Sequence, residues 1–570
     1  MRQGWLQKLT TKKPHFVFEL IQNAEDNTYQ NGITPRIRFV VNEGELLVQN
    51  NELGFKEDDV VALCGVGSST KKNKNLGYIG EKGIGFKSVF MVTDTPQLFS
   101  KGFQFGYEFK KENPKSILIP QWIEKLPKGV NRKETNIILP IKDELKTDVE
   151  RYVAQITPSL MLFLRKLRII EIENKITKKN QRIRRIDYDG YLEIKQGSKN
   201  SCWKTIRKTI QVPDDIHEER RKDVLESVIM LAFPLKNKGL AITSEEQSVF
   251  AFLPIRKYGL KFIIHADFVL PVGREDILKE NAWNEWLRNS IASLFLEAIE
   301  EFKVDENLKY TYYGFIPSEE EVKDDFFSNV VKQLFEGLQE TTFLLSESNE
   351  WKKPSEILLA DKELKKIVPN DFVKNYLKKQ YIHDKARVPD FILHKLNIEG
   401  FSFDLLVQCL KLGEWIEKQD NEWFALLYQY LSSEKLDDAQ IDILKDLQIL
   451  KLQSGKLTSI NEGLVFFPLS NKKEDYGFEV EMRYLSKNVF EIMGKGARQN
   501  ISSVKSFLTK LGVKQPQTYE IIENYILPIY ESERWKHSTS DVLFGHVKYI
   551  RDNLAKYEKE ARRILDKDKT

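Results

Sequence analysis

Four glycines fall within nine residues, at Gly77, Gly80, Gly83 and Gly85, with Lys82 among them and the apolar run Val89-Phe90-Met91-Val92 behind. A glycine-rich turn that opens a helix offers backbone N–H groups to an anion and lets the chain approach it closely. The stretch therefore predicts a phosphate cradle, with a plain glycine-rich surface loop as the alternative. It is neither of the two commonest phosphate loops. Gly80 and Gly85 have the spacing of the mononucleotide P-loop, but Phe86 separates Gly85 from Lys87-Ser88 and puts the lysine out of register. The dinucleotide fingerprint needs a buried strand in front of it, and here the polar run Ser68-Ser69-Thr70-Lys71-Lys72-Asn73-Lys74-Asn75 precedes. Upstream, Glu19, Asn23 and Asp26 stand at i, i+4 and i+7, one stripe of a helix. A carboxylate, an amide and a carboxylate on one stripe suit a metal-nucleotide: one acid orients water, the amide oxygen holds Mg2+, and the other acid helps to fix the base side. The competing reading is an amphipathic helix with a polar stripe.

These groups need elements to hold them. Residues 12–28 predict a helix, because Phe16, Leu20 and Ala24 recur every fourth position with Val17 and Ile21 beside them. Residues 36–49 alternate and are β-branched around Asn42-Glu43-Gly44, which predicts a hairpin. Its second strand runs into Gln49-Asn50-Asn51-Glu52-Leu53-Gly54-Phe55. Amides and a glycine at a strand end can hydrogen-bond a heterocycle edge, or simply make a turn. Phe55–Cys64 reads as a helix, followed by Gly65-Val66-Gly67-Ser68-Ser69-Thr70-Lys71, whose hydroxyls and lysine lie close in sequence to the glycine stretch. Glu134–Pro140 reads as a strand carrying Thr135.

The chain as a whole has 570 residues, enough for several domains, with 41% hydrophobic and 30% charged residues. A net charge of +4 gives no bulk argument for nucleic acid. Cys64, Cys202 and Cys409 are too far apart for a disulfide framework or a zinc spacing, which points to a reducing cytoplasm. The N-terminus lacks the apolar stretch of a signal peptide, and no uncharged run reaches the length of a membrane span.

Taken in order, E-x-x-x-N-A-x-D from Glu19, N-x-x-G-F ending at Gly54-Phe55, G-S-S-T-K ending at Lys71, G-x-x-G-x-G-F ending at Phe86 and a strand with Thr135 resemble the GHKL ATPases. That superfamily includes gyrase B, the ninety-kilodalton heat-shock chaperone, histidine kinases and mismatch-repair ATPases. Phe18–Asn27 and Tyr78–Phe90 are most similar to sacsin-type and NO VEIN-type signatures. The resemblance implies ATP and Mg2+ as ligands. Glu19 would position the attacking water, Asn23 would hold Mg2+, and Asp26 would support the nucleotide. Asn50, with Asn51 and Gly54, would stand where the superfamily reads adenine, joined by Thr135 through its hydroxyl and a water. Ser69, Lys71, Gly80 and Lys82, with the N–H groups around Gly83, Gly85 and Phe86, would surround the phosphates, and residues 65–80 would form a lid. One departure stands out. Most of the superfamily has an aspartate where this chain has Asn50, so adenine selectivity is either weaker or compensated locally. Little precedes His15, so the chaperone's exchange of a first strand between subunits is not expected, although an ATP-dependent dimer stays open.

Further on, 149–165 predicts a helix interrupted near Pro158, leading to a strand at 167–172. The basic segment holding Lys175, Lys178, Lys179, Arg182, Arg184 and Arg185 could grip nucleic-acid phosphates, or be a hairpin edge protected by charge. Strands are expected near 191–194, 203–212, 228–234 and 249–254, with a charged helix over 214–226. In 262–277 a strand ends in a loop carrying Arg274-Glu275. This resembles the chaperone's middle domain, which implies that Arg274 reaches the γ-phosphate; a helix-start ion pair with Asp276 or Glu280 is the alternative. Sacsin-like proteins share the following Trp283-Asn284. His265 reads as a packed strand histidine. Residues 285–340 and 500–570 read as helical, and 342–359 and 448–467 echo each other as strand, turn, strand, which suggests a repeated module of hairpin and helices.

The expected class is α+β: a Bergerat-type α/β sandwich ATPase domain over 1–174, an α/β middle domain over 175–330, and a mainly helical interaction region over 331–570. Three functions fit: an ATP-driven conformational switch acting on a protein client or complex, a nucleic-acid-associated ATPase of MORC-like or prokaryotic defence type, and a nucleotide-binding scaffold with little hydrolysis. A cytoplasmic protein that does not enter a membrane is expected in each case.

Overall fold

The computed structural model describes residues 15–64, 86–221, 224–236, 239–271, 276–468, 476–477, 482–494, 498–532 and 534–567. The chain divides into two compact units: one comprises the residues up to Leu345 with 351–354 and 383–397, the other most of the remainder.

The first unit is built on one large mixed sheet. Its strands are β1 (Arg36–Asn42), β2 (Glu45–Asn50), β3 (Gln97–Ser100), β4 (Phe103–Gly106), β5 (Gln121–Trp122), β6 (Thr135–Pro140), β7 (Ile169–Asn174), β8 (Lys179–Asp187), β9 (Leu192–Gln196), β10 (Lys199–Gln211), β11 (Glu226–Lys236), β12 (Leu240–Ala241), β13 (Ser248–Ala251), β14 (Leu253–Lys257) and β15 (Ile263–His265). Their spatial order is β14-β13-β15-β11-β10-β9-β8-β7-β1-β2-β6-β3-β4-β5, with β12 added beside β11. Neighbours run antiparallel except β1 with β7 and β13 with β15. The β1–β2 hairpin turns at Gly44, whose φ of +72° suits glycine. Pairing continues from β7 into β8, so the sheet carries no break at 174/175.

Helices cover one face of the N-terminal strands: α1 (His15–Asp26), α2 (Glu57–Cys64) and α3 (Lys146–Val153). The period of two decides what they cover. Ile37, Phe39 and Val41 of β1, Leu46 and Val48 of β2 and Leu139 of β6 share a core with Phe16, Val17, Leu20, Ile21 and Ala24 of α1. Val40, Leu47, Phe99 and Ile138 point the other way and make a small cluster with Leu126 and Val130. Phe18 of α1 meets Phe252, from the β13–β14 turn, edge-on with 6.4 Å between ring centres. The later strands thus reach the same helix as the early ones. Beyond them, α4 (Ala282–Lys303) and α5 (Asp325–Glu340) follow, and Phe233 of β11 packs among Phe262, Phe295, Phe302 and Phe315.

Two expectations need correction. The basic segment is not a sheet edge: β8 is paired on both sides, by β7 and β9. Part of its charge is met within the sheet, Arg182 across strands by Glu171 of β7 at 3.3 Å and Arg185 along β8 by Asp187 at 2.7 Å. The charged helix over 214–226 is replaced by a 3-10 turn at Glu219–Arg221, and the chain is already in β11 at Glu226; the segment has charge but no apolar stripe to dock a helix. The interruption near Pro158 is complete: α3 ends at Val153 and a 3-10 turn spans Pro158–Leu162.

The second unit is mainly helical, with Trp423, Phe424, Leu427, Tyr428 and Leu431 of the 421–433 helix buried in its core. The echo between 342–359 and 448–467 is structural. Ser346 N–H bonds Glu350 O and Leu452 N–H bonds Lys456 O, both at 2.9 Å. Asn349 (φ +59°) and Gly455 (φ +84°) hold the same left-handed turn position. In each copy the following strand lies between two parallel partners: Ile357–Leu359 between Gln380–Tyr381 and Glu399–Gly400, Phe466 between Tyr484 and Lys514.

Candidate functional site

The helix stripe, the end of β2 and the exit of the glycine stretch converge on the first sheet. Glu19 is 9% exposed, whereas Asn23 and Asp26 are half-buried along α1. Glu25, beside them, does structural work: its carboxylate accepts the N–H groups of Arg165, Lys166 and Leu167 at 2.5–2.9 Å and so ties α1 to the chain before β7. Directly after the glycines, the 3-10 segment Phe86–Met91 buries Val89 and Phe90 in the same core as α1. Phe86 tilts against Tyr107 at 6.4 Å. Ser69, Lys71, Gly80, Lys82, Gly83, Gly85 and Arg274 lie outside the described residues.

Asn50 ends β2 on the strand face that carries Leu46 and Val48, towards α1. It lies opposite Thr135 of β6. Asn50 is 6% exposed, and neither its Oδ1 nor its Nδ2 has a hydrogen-bond partner among the described residues. Each such group left unmade in a protein interior costs about 1–3 kcal/mol, and among the described residues this amide keeps one acceptor and one donor without a partner. Asn51 is different. Its Oδ1 accepts from Arg36 N–H at 2.7 Å and its Nδ2 donates to Thr34 O at 2.9 Å, which closes the start of β1. Gly54 has φ +87°, and a Cβ there would stand 2.6 Å from Cγ of Lys101. It lets the chain pass beneath the lysine stem of the β3–β4 turn.

Thr135 belongs to a relay that the sequence did not announce. Phe55 N–H donates to Ser100 Oγ at 2.8 Å, Ser100 meets Thr135 Oγ1 at 2.6 Å, and Thr135 donates to Glu52 Oε1 at 2.6 Å. Tyr29, next to this cluster, donates to Ala24 O at 2.6 Å. Burial holds its phenol well above the ordinary value; the nearby Asn50 amide opposes that rise without meeting the phenol in hydrogen-bond geometry, and the Glu52 and Glu25 carboxylates add to it.

Lys87 was also missed. It is almost fully buried, donates to Ile117 O at 2.7 Å and lies 4.5 Å from the centre of the Tyr107 ring. Burial pushes its ammonium down to about 8. A lysine inside an apolar run after a glycine cluster was the available signal.

The loop that holds Arg274 is clamped at both ends. Asn284, fully buried in the first turn of α4, accepts from Val269 N–H at 2.7 Å and donates to Val269 O at 2.7 Å and Leu278 O at 2.9 Å. Trp283 Nε1 donates to Asp267 O at 3.0 Å. His265 is buried and stacked on Phe163 at 4.3 Å. Burial, with the Arg207 and Arg165 cations, pushes its imidazole down to about 3, so it is a neutral packing group.

A sacsin domain matches residues 6–107. The match takes in α1, the β1–β2 hairpin, the Asn50–Gly54 turn and the whole glycine stretch. Over 92% of its length the chain is 29% identical to Protein NO VEIN of Arabidopsis thaliana, of which it spans about a fifth (21%). Shorter similarities, each over 180 residues, connect it to two further proteins. Chaperone protein HtpG of Chlorobium chlorochromatii (strain CaD3) is 26% identical over 26% of this chain and 27% of its own length. An endoplasmin homolog of Hordeum vulgare is 27% identical over 25% of this chain and 21% of its own. Likeness to the sacsin domain and to NO VEIN, with a weaker likeness to heat-shock-90-type chaperones, is thus established. Among the described residues no helix is long and apolar enough to cross a membrane.

Proposed function

We propose that the chain is an Mg2+-dependent ATPase of GHKL type whose slow cycle switches the conformation of a protein client or complex in the cytoplasm. The observation that carries this reading is Asn50: a buried amide with both atoms unpartnered among the described residues, on the α1 face of the sheet and opposite a threonine hydroxyl. That is what a base-reading position needs, since an amide offers one acceptor and one donor to a heterocycle edge. In this reading Glu19 orients the attacking water, Asp26 supports the nucleotide, and the glycine stretch with Lys71 and Lys82 binds the phosphates. Asn23 would hold Mg2+, which would neutralise phosphate charge when bound. Arg274, on a loop whose ends Asn284 clamps, would complete the γ-phosphate site. The similarity to HtpG and the endoplasmin homolog supports the chaperone-like version of the cycle. The nucleic-acid version draws less support, because the arginines of β8 with the best contacts are met by Glu171 and Asp187.

The test is calorimetry of ATP with and without Mg2+, then steady-state hydrolysis alone and with DNA, RNA or an unfolded protein. Saturable Mg2+-dependent binding with turnover raised by unfolded protein is the expected result. Indifference to adenine nucleotides would overturn the reading. Stimulation by DNA alone would move the chain to the nucleic-acid class, and binding without turnover to the scaffold class.

A further inference from the structure

We infer that Glu52 supplies the negative acceptor that sets the choice of base, which Asn50 cannot make alone; this rests on the nucleotide-binding reading above. An amide pairs with adenine by accepting from the 6-amino group and donating to N1. Turned over, the same amide donates to O6 of guanine and accepts from its N1–H. Asn50, with no described partner on either atom to fix its orientation, is thus ambiguous between the two bases. A carboxylate facing position 6 is not: it only accepts, so there it favours the adenine amino group and repels a guanine O6, whereas on the N1–H and 2-amino edge it would take guanine.

Glu52 is placed to do this. It follows Asn50 by two residues, where the chain leaves β2, and Thr135, directly across from Asn50, donates to its Oε1 at 2.6 Å. The direction of the relay is fixed from its far end. Ser100 accepts from Phe55 N–H and gives its own proton to Thr135, because the Thr135 proton is already committed to Glu52. Two consequences follow. Glu52 is anchored as an acceptor and stays beside the amide. Thr135 has no proton left to give, so towards a base or a bridging water it too can only accept. Three neighbouring groups then present acceptors, and Asn50 Nδ2 is left as the donor for N1. Tyr29 senses the same arrangement, since Asn50 and Glu52 both act on its phenol.

The test is a competition of ATP against GTP, by calorimetry and by hydrolysis, on wild type, Glu52→Gln, Asn50→Asp and the double variant. Glu52→Gln keeps size and the bond from Thr135 but removes the charge. It is expected to reduce the ATP-to-GTP preference at least tenfold, mostly by tightening GTP. Asn50→Asp should restore the preference in the Glu52→Gln background, which also serves if the single variant folds poorly. An unchanged ratio in Glu52→Gln, in a protein that still binds ATP, overturns the role of Glu52 and leaves the nucleotide site standing. A wild type that binds neither nucleotide overturns both.

Discussion

Glu19 and Lys87 show how far a residue's type predicts its behaviour and where its surroundings take over. If Glu19 orients the attacking water, Glu19→Ala keeps ATP affinity and loses about 10²–10⁴-fold in turnover, the usual worth of a positioned base; single-turnover hydrolysis with nucleotide pre-bound checks it. For Lys87 the consequence is one of stability. Its folded ammonium titrates at about 8 against an ordinary value of 10.5, so between those values the unfolded chain binds more protons than the folded one. Stability from this group therefore rises with pH from about 8 to 10.5 and is flat below. Lys87→Met should remove that rise, measured as the difference in denaturant midpoint between wild type and variant across pH 7–11. The two residues also differ in legibility. Glu19 was visible because helical spacing alone puts it in line with Asn23 and Asp26. Lys87 was not, because its neighbours in sequence do not reveal that Tyr107 and Ile117 close over it. Asn50 was visible by position in a motif, but its lack of a partner among the described residues, and the bond to Glu52 from Thr135 directly across the strands, appear only when β2 and β6 are in register.

At the scale of elements, the decisive piece is the loop between β15 and α4. Its two ends, Val269 and Leu278, are bridged by one buried side chain, Asn284. Asn284→Ala leaves the Val269 N–H and the Leu278 carbonyl without their Asn284 partner, while Val269 O keeps the Leu278 N–H; the expected loss is about 2–4 kcal/mol by the ordinary cost of unmade buried groups, to be read in thermal or denaturant unfolding. If the clamp also aims Arg274, turnover falls with little change in ATP affinity. The effects of Asn284→Ala and Arg274→Ala on hydrolysis are then non-additive in a double-mutant cycle. Additive effects would leave Asn284 as a stability residue only. Elements of this kind were legible when they carried their own periodicity or turn chemistry: α1, the β1–β2 hairpin, the strand at Thr135 and the two echoing hairpins of 342–359 and 448–467. The hairpin echo was legible because Asn349 and Gly455 are both residue types that accept a left-handed turn. What failed was context. The basic run that reads as an edge lies inside the sheet because β9 pairs with it, and a charged stretch with no apolar stripe does not become a helix.

For the whole molecule the open question is whether nucleotide binding in the first unit is felt in the second, which separates a switch from a scaffold. A ligand that binds only the folded first unit must stabilise that unit, by about 2.7 kcal/mol at a hundred times its dissociation constant. The second unit has its own core, of which Trp423, Phe424 and Tyr428 are part, and it owes the ligand nothing unless its conformation is linked to the first. Hydrogen exchange read by mass spectrometry resolves the two. ATP with Mg2+ is expected to slow exchange in peptides covering 15–64 and 86–107, where α1, β2 and the exit of the glycine stretch share a core. A switch further requires a nucleotide-dependent change in peptides covering 403–433 and 498–511, reversed when ATP is replaced by ADP and absent in Asn50→Leu, which fills the base position. Coupling is reciprocal, so substitutions in the second unit that alter its exchange should also shift ATP affinity by the matching factor. Protection confined to the first unit, with an ATP affinity indifferent to the second, would reduce the molecule to a nucleotide-binding scaffold carrying a pair of hairpin modules.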